Sequence, residues 1–283
     1  MPTSPLSSAQ AARAAIAAQL DGIRRDAGLT GHELAVRCGW HKSKASRIAR
    51  AKTAPSDADI RAWCEACGAG ERAPDLIAAS RTAESMYVHW RQIHRDGMRR
   101  VHEKTVPLYE RTGRFRVYAS NVVPGMLQTA DYATGLLRSI TAFQGTPDDV
   151  ADAVQARLNR SRVVYEGNHR FALLLEEAVL YYRVCDGPEL AAQLRHLQGV
   201  MARPNVSLGI IPFTARRTVW PLEAFYAFDD AQVAVETLTA EVNITAPSEV
   251  HTYLRAFAEL SRTAVYGAGA RGCLTKALNC ALA

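Results

Sequence analysis

No hydrophobic run in the 283 residues approaches the roughly 20 that a membrane-spanning helix needs. The opening MPTSPLSSAQ also lacks the basic start and apolar core of a secretory signal. The expected location is therefore cytoplasmic, and no membrane partner is expected. Cysteine is sparse: Cys38, Cys64, Cys67, Cys185, Cys273 and Cys280 are scattered without the dense framework of a small secreted domain, so reduced thiols are expected. Cys64 and Cys67 form a C-x-x-C, but they share a helical pattern with Trp63. No second pair follows at zinc-site spacing and no strand precedes them as in a thioredoxin unit, which leaves core packing as the expected role. Catalytic signatures are missing too: there is no glycine-rich phosphate loop, no H-E-x-x-H and no G-x-S-x-G elbow. No catalytic residue, metal ligand or cofactor is assigned on these grounds.

What is present is a 48% hydrophobic content, enough for a substantial core, in a chain long enough for two ordinary domains. The net charge of +6 is unevenly spread. Residues 1–104 hold 17 Lys and Arg against 11 Asp and Glu, whereas residues 105–283 hold 17 against 17. Only the first part is built for a polyanion.

After a disordered start expected over residues 1–10, Ile16, Leu20 and Ile23 recur on one stripe of a helix from Ala11 to Ala27, which Gly28 ends. Thr30 and Glu33 make the S/T-x-x-E capping box of a second helix, from about Gly31 to Cys38, with Leu34 and Ala35 inward. Gly39 and Trp40 break it. Helical spacing resumes from His41 to about Arg50, with Ala45 and Ile48 as its only apolar anchors, and two short helices joined by a glycine turn make a helix-turn-helix. The other positions of that second helix are Lys42, Ser43, Lys44, Ser46, Arg47 and Arg50, and residues 30–52 carry six basic groups against the single acid Glu33. A solvated surface helix has this look as well, but the local charge excess favours a partner with phosphates. Pro55-Ser56-Asp57 opens a further helix anchored by Ile60, Trp63 and Cys67, and a bundle of four or five short helices closes by about Pro74.

The stretch LTGHELAVRCGWHKSKASRIARAKTAPSDADIRAWCEACGA resembles the helix-turn-helix of Xre/Cro-like regulators, in the form common in actinobacteria, over most of residues 16–70. The resemblance implies base-edge contacts for Lys42, Ser43 and Arg47, and phosphate contacts for Thr30, Lys44, Ser46 and the region of Arg24. His41 and Arg50 complete the candidate DNA-binding set. This chain departs from the pattern after the recognition helix: where such regulators often have Ile-Glu followed by Asn-Gly, it has Ile48-Ala49-Arg50-Ala51.

From Asp75 to Lys104 a helical pattern places Met86, Trp90, Ile93, Gly97 and Val101 on one face, so a connecting helix is expected over 74–104. His89, His94 and His102 fall in or near it without the i, i+4 spacing of a helical zinc pair. Beyond it, RFRVYASNVVPG reads as a strand and turn. Helices are expected near 129–140, 146–158, 188–201 and 247–264. Further strands are expected at FALLL, at VSLGIIPF and in a hairpin of FYAF and VAVETL around Asp229-Asp230. The expected fold class is mixed: an all-α helix-turn-helix domain over 11–73 and a larger α+β domain over 105–283, with about five strands and five helices.

VVPGMLQTADYA, ALLLEEAVLYYRV and PNVSLGIIPF followed by WPLEAFYAFDD resemble, in order, the C-terminal domain of the actinobacterial Scr1-like antitoxin-type and WhiJ-like proteins, over nearly all of residues 105–265. That resemblance implies a small neighbouring-gene partner protein and control of development or secondary metabolism. Glu176-Glu177 follow an apolar strand and suit a pocket mouth, or one solvated carboxylate beside one paired with an arginine such as Arg183. The candidate ligand or partner pocket comprises Trp90, His94, Glu177, Tyr181, Arg183, Trp220 and Tyr226. The expected function is a transcriptional regulator, as a homodimer on a palindromic stretch of double-stranded DNA, modulated by a small-molecule effector or small protein. Two alternatives stand beside it: an enzyme with a vestigial helix-turn-helix, which a deep cavity of perturbed ionisable groups would favour, and an antitoxin-like protein that sequesters a partner, which co-purification would favour.

Overall fold

The computed structural model describes residues 5–82, 87–89, 98–238 and 240–283. The chain divides into two compact units, one of Met1–Tyr87 with Asn243–Val250 and one of Val88–Val242 with His251–Ala283.

The first unit is helical: α1 (Pro5–Asp26), α2 (Gly31–Arg37), α3 (Lys42–Ala49), α4 (Asp57–Ala66) and α5 (Ala73–Thr82). Residues 5–10, expected to be disordered, belong to α1. Pro5 suits the first turn because it has no amide to leave unpaired, and the alanines and glutamine that follow are strong helix formers. Leu20, Ile23, Leu34, Ala45, Ile48, Ile60 and Trp63 make the core, and the Trp63 indole N–H donates to the Leu20 carbonyl at 2.8 Å. The capping box of α2 forms as expected, Thr30 and Glu33 exchanging backbone and side-chain hydrogen bonds of 2.7 and 3.2 Å. Ser56 and Asp59 repeat the device on α4. Burial raises the Cys64 thiol to about 11 and raises Cys67 as well, so both stay protonated and unreactive at neutral pH.

The expected connecting helix over 74–104 is not continuous. Helix α5 ends at Thr82, β1 occupies Tyr87–His89, and α6 (Met98–Arg111) begins near the end of the expected span. A short run of aromatic and β-branched residues at Tyr87-Val88 prefers extended backbone, and that local preference overrides a loose helical periodicity.

The second unit holds β2 (Arg114–Ala119), α7 (Ala130–Gln144), α8 (Val150–Ser161), β3 (Arg170–Glu176), α9 (Gly187–Val200), β4 (Val206–Ile211), β5 (Phe225–Phe228) and β6 (Gln232–Glu236). After these come β7 (Ala240–Ile244), α10 (Pro247–Thr263) and α11 (Gly267–Leu282). The strands form one mixed sheet in the order β1-β7-β6-β5-β2-β3-β4. Six of them follow residue 105, β7 being additional to the five expected. Strands β2, β3 and β4 run parallel, and β5 and β6 extend them antiparallel. Strand β3, flanked by β2 and β4, is buried along nearly its whole length, as a parallel strand covered on both faces must be, which is why FALLL is a continuous apolar run. Phe115 stacks on its partner Phe171 with ring centroids 4.7 Å apart. The β5–β6 hairpin turns at Asp229, whose positive φ of 51° an aspartate tolerates, and its carboxylate accepts the Gly113 and Arg114 amides. Helix α11 was not expected. Ala270, Leu274, Ala277 and Ala281 bury its face, and α9 starts so close to it that a Cβ on Gly187 would strike the Ala281 carbonyl.

Candidate nucleic-acid interface and an interior cavity

Helix α2 stops at Cys38 because Gly39 takes the left-handed conformation, φ 66°, which lets the Trp40 amide reach back to the Ala35 carbonyl at 2.7 Å. His41 then caps α3: its Nδ1 accepts the Ser43 amide at 3.3 Å and lies 2.8 Å from the Ser43 hydroxyl, so Nδ1 is the acceptor nitrogen. Only Ala45 and Ile48 of α3 are buried. His41, Lys42, Ser43, Ser46, Arg47 and Arg50 are exposed, a polar and cationic face without an acidic residue.

Three expected phosphate contacts, Lys44, Arg24 and Thr30, are engaged inside the unit. The Lys44 ammonium lies 2.6 Å from the Asp59 carboxylate and 4.5 Å from the Trp40 ring centroid, which ties α3 to α4. Burial opposes the charge on Asp59, yet Lys44 and the Ser56 cap together hold its carboxyl below the usual range. Arg24 grips Asp21 through Nε at 3.0 Å and Nη2 at 2.8 Å and gives Nη1 to the Leu29 carbonyl, fastening the end of α1 to the turn before α2. Thr30 spends its hydroxyl and amide on the capping box. The face that remains outward is therefore narrower than the expected set: Lys42, Ser43, Ser46, Arg47 and Arg50, with His41 at its edge.

Of the expected pocket residues, Trp90 and His94 lie outside the described residues. The others fall into separate places: Glu177, Tyr181 and Arg183 gather around Phe213 and the end of α11, whereas Trp220 and Tyr226 lie apart from them. Glu177 accepts the Phe213 amide at 2.8 Å, Tyr181 packs near the Phe213 ring, Arg183 donates to the Cys280 carbonyl at 3.3 Å, and Trp220 is 73% exposed. The carboxylate that pairs with an arginine is Glu176, and its partner is Arg217 rather than Arg183: Nη1 and Nη2 meet its two oxygens at 2.6 and 2.5 Å. The Tyr118 hydroxyl donates to the same carboxylate at 2.8 Å. A carboxylate so fully occupied is a structural clamp between β2, β3 and the segment before β5. The sequence distance between Glu176 and Arg217 hid the pair.

Among the described residues of that set, Tyr226 alone lines a partly open cavity of about 290 Å³ in the second unit, walled by α6, α7, α8, the Asn121–Gln128 loop and the β5–β6 hairpin. Two arginines missed in the sequence stand in it. Arg157 gives Nη1 to the Gln128 side-chain oxygen at 2.6 Å. Arg160 gives Nη1 to the Thr105 hydroxyl at 2.6 Å and lies over the Tyr109 ring at 4.5 Å. Burial, followed by the neighbouring Arg160, lowers the Arg157 pKa to about 10. Glu236 borders the same space at an exposed position; crowding by protein raises its pKa, and Arg157 and Arg160 act in the opposite direction. The loop carrying both ends of the VVPGMLQT motif is held by buried amides: Gln128 donates to Val123, and Gln193 bridges Leu127 and Thr129, each at 2.7 Å. A signal for Arg157 was available, since it continues the inward stripe of Val150 and Val154 on α8.

A family described as a domain of unknown function (DUF5753) matches residues 105–276, more than half of the chain. The chain belongs to the DUF5753 family. Residues 15–76 of this DUF5753 protein match a family described as a helix-turn-helix domain, the module of DNA-binding regulators. The arginine pair and all of the cavity lining except Met98 and His102 lie within the DUF5753 match, and α2 and α3 lie within the helix-turn-helix match. No curated protein and no solved structure matches it. Among the described residues, no helix is long and apolar enough to cross a membrane, and no cluster of His, Cys, Asp and Glu is fit to hold a metal ion.

Proposed function

We propose that the chain is a DNA-binding transcriptional regulator of the Xre/Cro type, acting as a homodimer on a palindromic operator. The observation that carries this reading is the exposed face of α3, where Lys42, Ser43, Ser46, Arg47 and Arg50 stand outward from a helix anchored only by Ala45 and Ile48. Lys42, Ser43 and Arg47 read base edges in the major groove; Ser46, Arg50 and the amides around Thr30 meet phosphates. Two copies are required because one short helix spans too few base pairs for useful selectivity. The likeness of residues 105–265 to Scr1-like and WhiJ-like proteins supports an actinobacterial regulator whose second unit answers to a small ligand or small partner protein.

Selection of bound duplexes from a random library, followed by anisotropy titration at several salt concentrations, tests the reading. A twofold-symmetric consensus is expected. Arg47→Ala weakens the best site by about 1–3 kcal/mol and relaxes one base position, whereas Lys42→Ala either does the same or lowers the salt slope by about 1. A protein that ignores duplex DNA at low ionic strength overturns the proposal.

A further inference from the structure

The cavity among α6, α7, α8 and the β5–β6 hairpin holds two arginines that make no direct ion pair among the described residues, although the Glu236 carboxylate at its border is near enough to act on both. Among the described residues, no carboxylate lies within ion-pair distance of Arg157 or Arg160, and each spends one N–H on a neutral oxygen. The Nε of each is buried without a partner. The two guanidinium groups converge on one point: a Cβ at Gly125 would stand 3.5 Å from Arg160 Nη2 and 3.8 Å from Arg157 Cζ. The Tyr226 hydroxyl, which accepts the Gly125 amide at 3.2 Å, keeps its own hydrogen to donate nearby. Like charges held side by side in a protein interior are costly without an anion, and an anion between them gains charge-assisted hydrogen bonds.

We propose that this cavity binds a small organic carboxylate, its acid group on Arg157 and Arg160 and its apolar body against Leu136, Leu137 and Ile140. The inference deepens the reading of the second unit as the sensing part of the regulator and rests on it for its biological meaning. A single negative charge is favoured because Glu236 and Glu241 border the same space and repel a second one. A small molecule is favoured because about 290 Å³ sits at the lower end of ligand-pocket sizes.

Isothermal calorimetry of the full chain with octanoate, its neutral isostere octanamide and inorganic phosphate tests the proposal. Octanoate is expected to bind saturably at one site, at least about tenfold tighter than octanamide, since a hydrogen bond to a charged group contributes that much or more. Phosphate alone is expected to bind more weakly than octanoate for want of an apolar body. Arg157→Gln and Arg160→Gln each lose about tenfold for octanoate and leave octanamide unchanged, with circular dichroism confirming the fold. If neither variant folds, the comparison of the three probes on the natural chain decides alone. The proposal is overturned by absent octanoate binding, by equal binding of the amide, by phosphate binding as tightly, or by folded glutamine variants that bind as before. Duplex binding measured on the same samples without probes separates the two readings: DNA bound but octanoate ignored removes only the cavity site, and the reverse removes only the regulator.

Discussion

Ala51 sits at φ 54° just after α3, where the Xre/Cro-like pattern that the sequence resembles often has glycine. The left-handed conformation costs a residue with a Cβ about 1–2 kcal/mol. Glycine there gives back about 0.5–1 kcal/mol in chain entropy. Ala51→Gly is therefore expected to stabilise the first unit by about 0.5–1 kcal/mol, the difference of those terms, read as a higher urea midpoint with unchanged slope; a lower midpoint would refute it. Lys44 and Arg217 belong to the same scale. Because the Lys44 ammonium is taken up by Asp59 and Trp40, Lys44→Ala should alter the salt slope of DNA binding less than Lys42→Ala does. An equal change in slope would place Lys44 on a phosphate. Arg217→Ala strands the buried Glu176 carboxylate, with an expected loss of about 3 kcal/mol, the low end for a buried pair because Arg217 is itself 25% exposed. Denaturant unfolding checks the figure, and Glu176→Gln in the same background should restore part of the loss.

At the scale of the element, α3 is a helix of eight residues held by two side chains. Such a helix draws its stability from tertiary packing, because eight residues are too few to be helical alone. Ile48→Ala should cost about 2–5 kcal/mol and loosen the whole recognition face. A variant with near-natural stability would mean that the caps and the Lys44–Asp59 pair hold α3 by themselves. Helix α8 shows the same economy in the other unit. Val150, Ala153 and Val154 bury one stripe, and continuing that stripe delivers Arg157 to the cavity, with Arg160 three residues on. The missed elements are short or weakly patterned: β7 is five residues, and α11 is rich in glycine and alanine, whose small side chains give a helical period little amplitude. The long connecting helix failed for the opposite reason, a periodicity broad enough to run across a strand.

For the whole molecule, charge and acid response follow from the same contacts. Asp59 titrates below its ordinary 3.8 in the folded protein, so its pairing contributes stability above that value and loses it as pH falls through the folded pKa. Acid titration followed by the near-ultraviolet signal of Trp40 and Trp63 should show the first unit loosening below about pH 4, the range in which unfolded aspartate takes up its proton, and Asp59→Asn should flatten that dependence. An unaltered profile in the variant would assign acid sensitivity elsewhere.

The helix-turn-helix was legible because it is local. Its capping box, its glycine turn, its two-anchor helix and its basic bias all lie within a few residues of one another, and short-range hydrogen bonding and periodicity decide them. The mixed sheet was legible in outline for a related reason, since buried parallel strands announce themselves as apolar runs. What the tertiary structure alone decided is which charges are spent and which are left. Lys44 meets Asp59, Arg217 meets Glu176, and Arg157 and Arg160 make no direct ion pair among the described residues. Such pairings join side chains from different elements, Lys44 with Asp59 and Arg217 with Glu176, and a Coulombic contact depends on distance in space, which no spacing along the chain encodes.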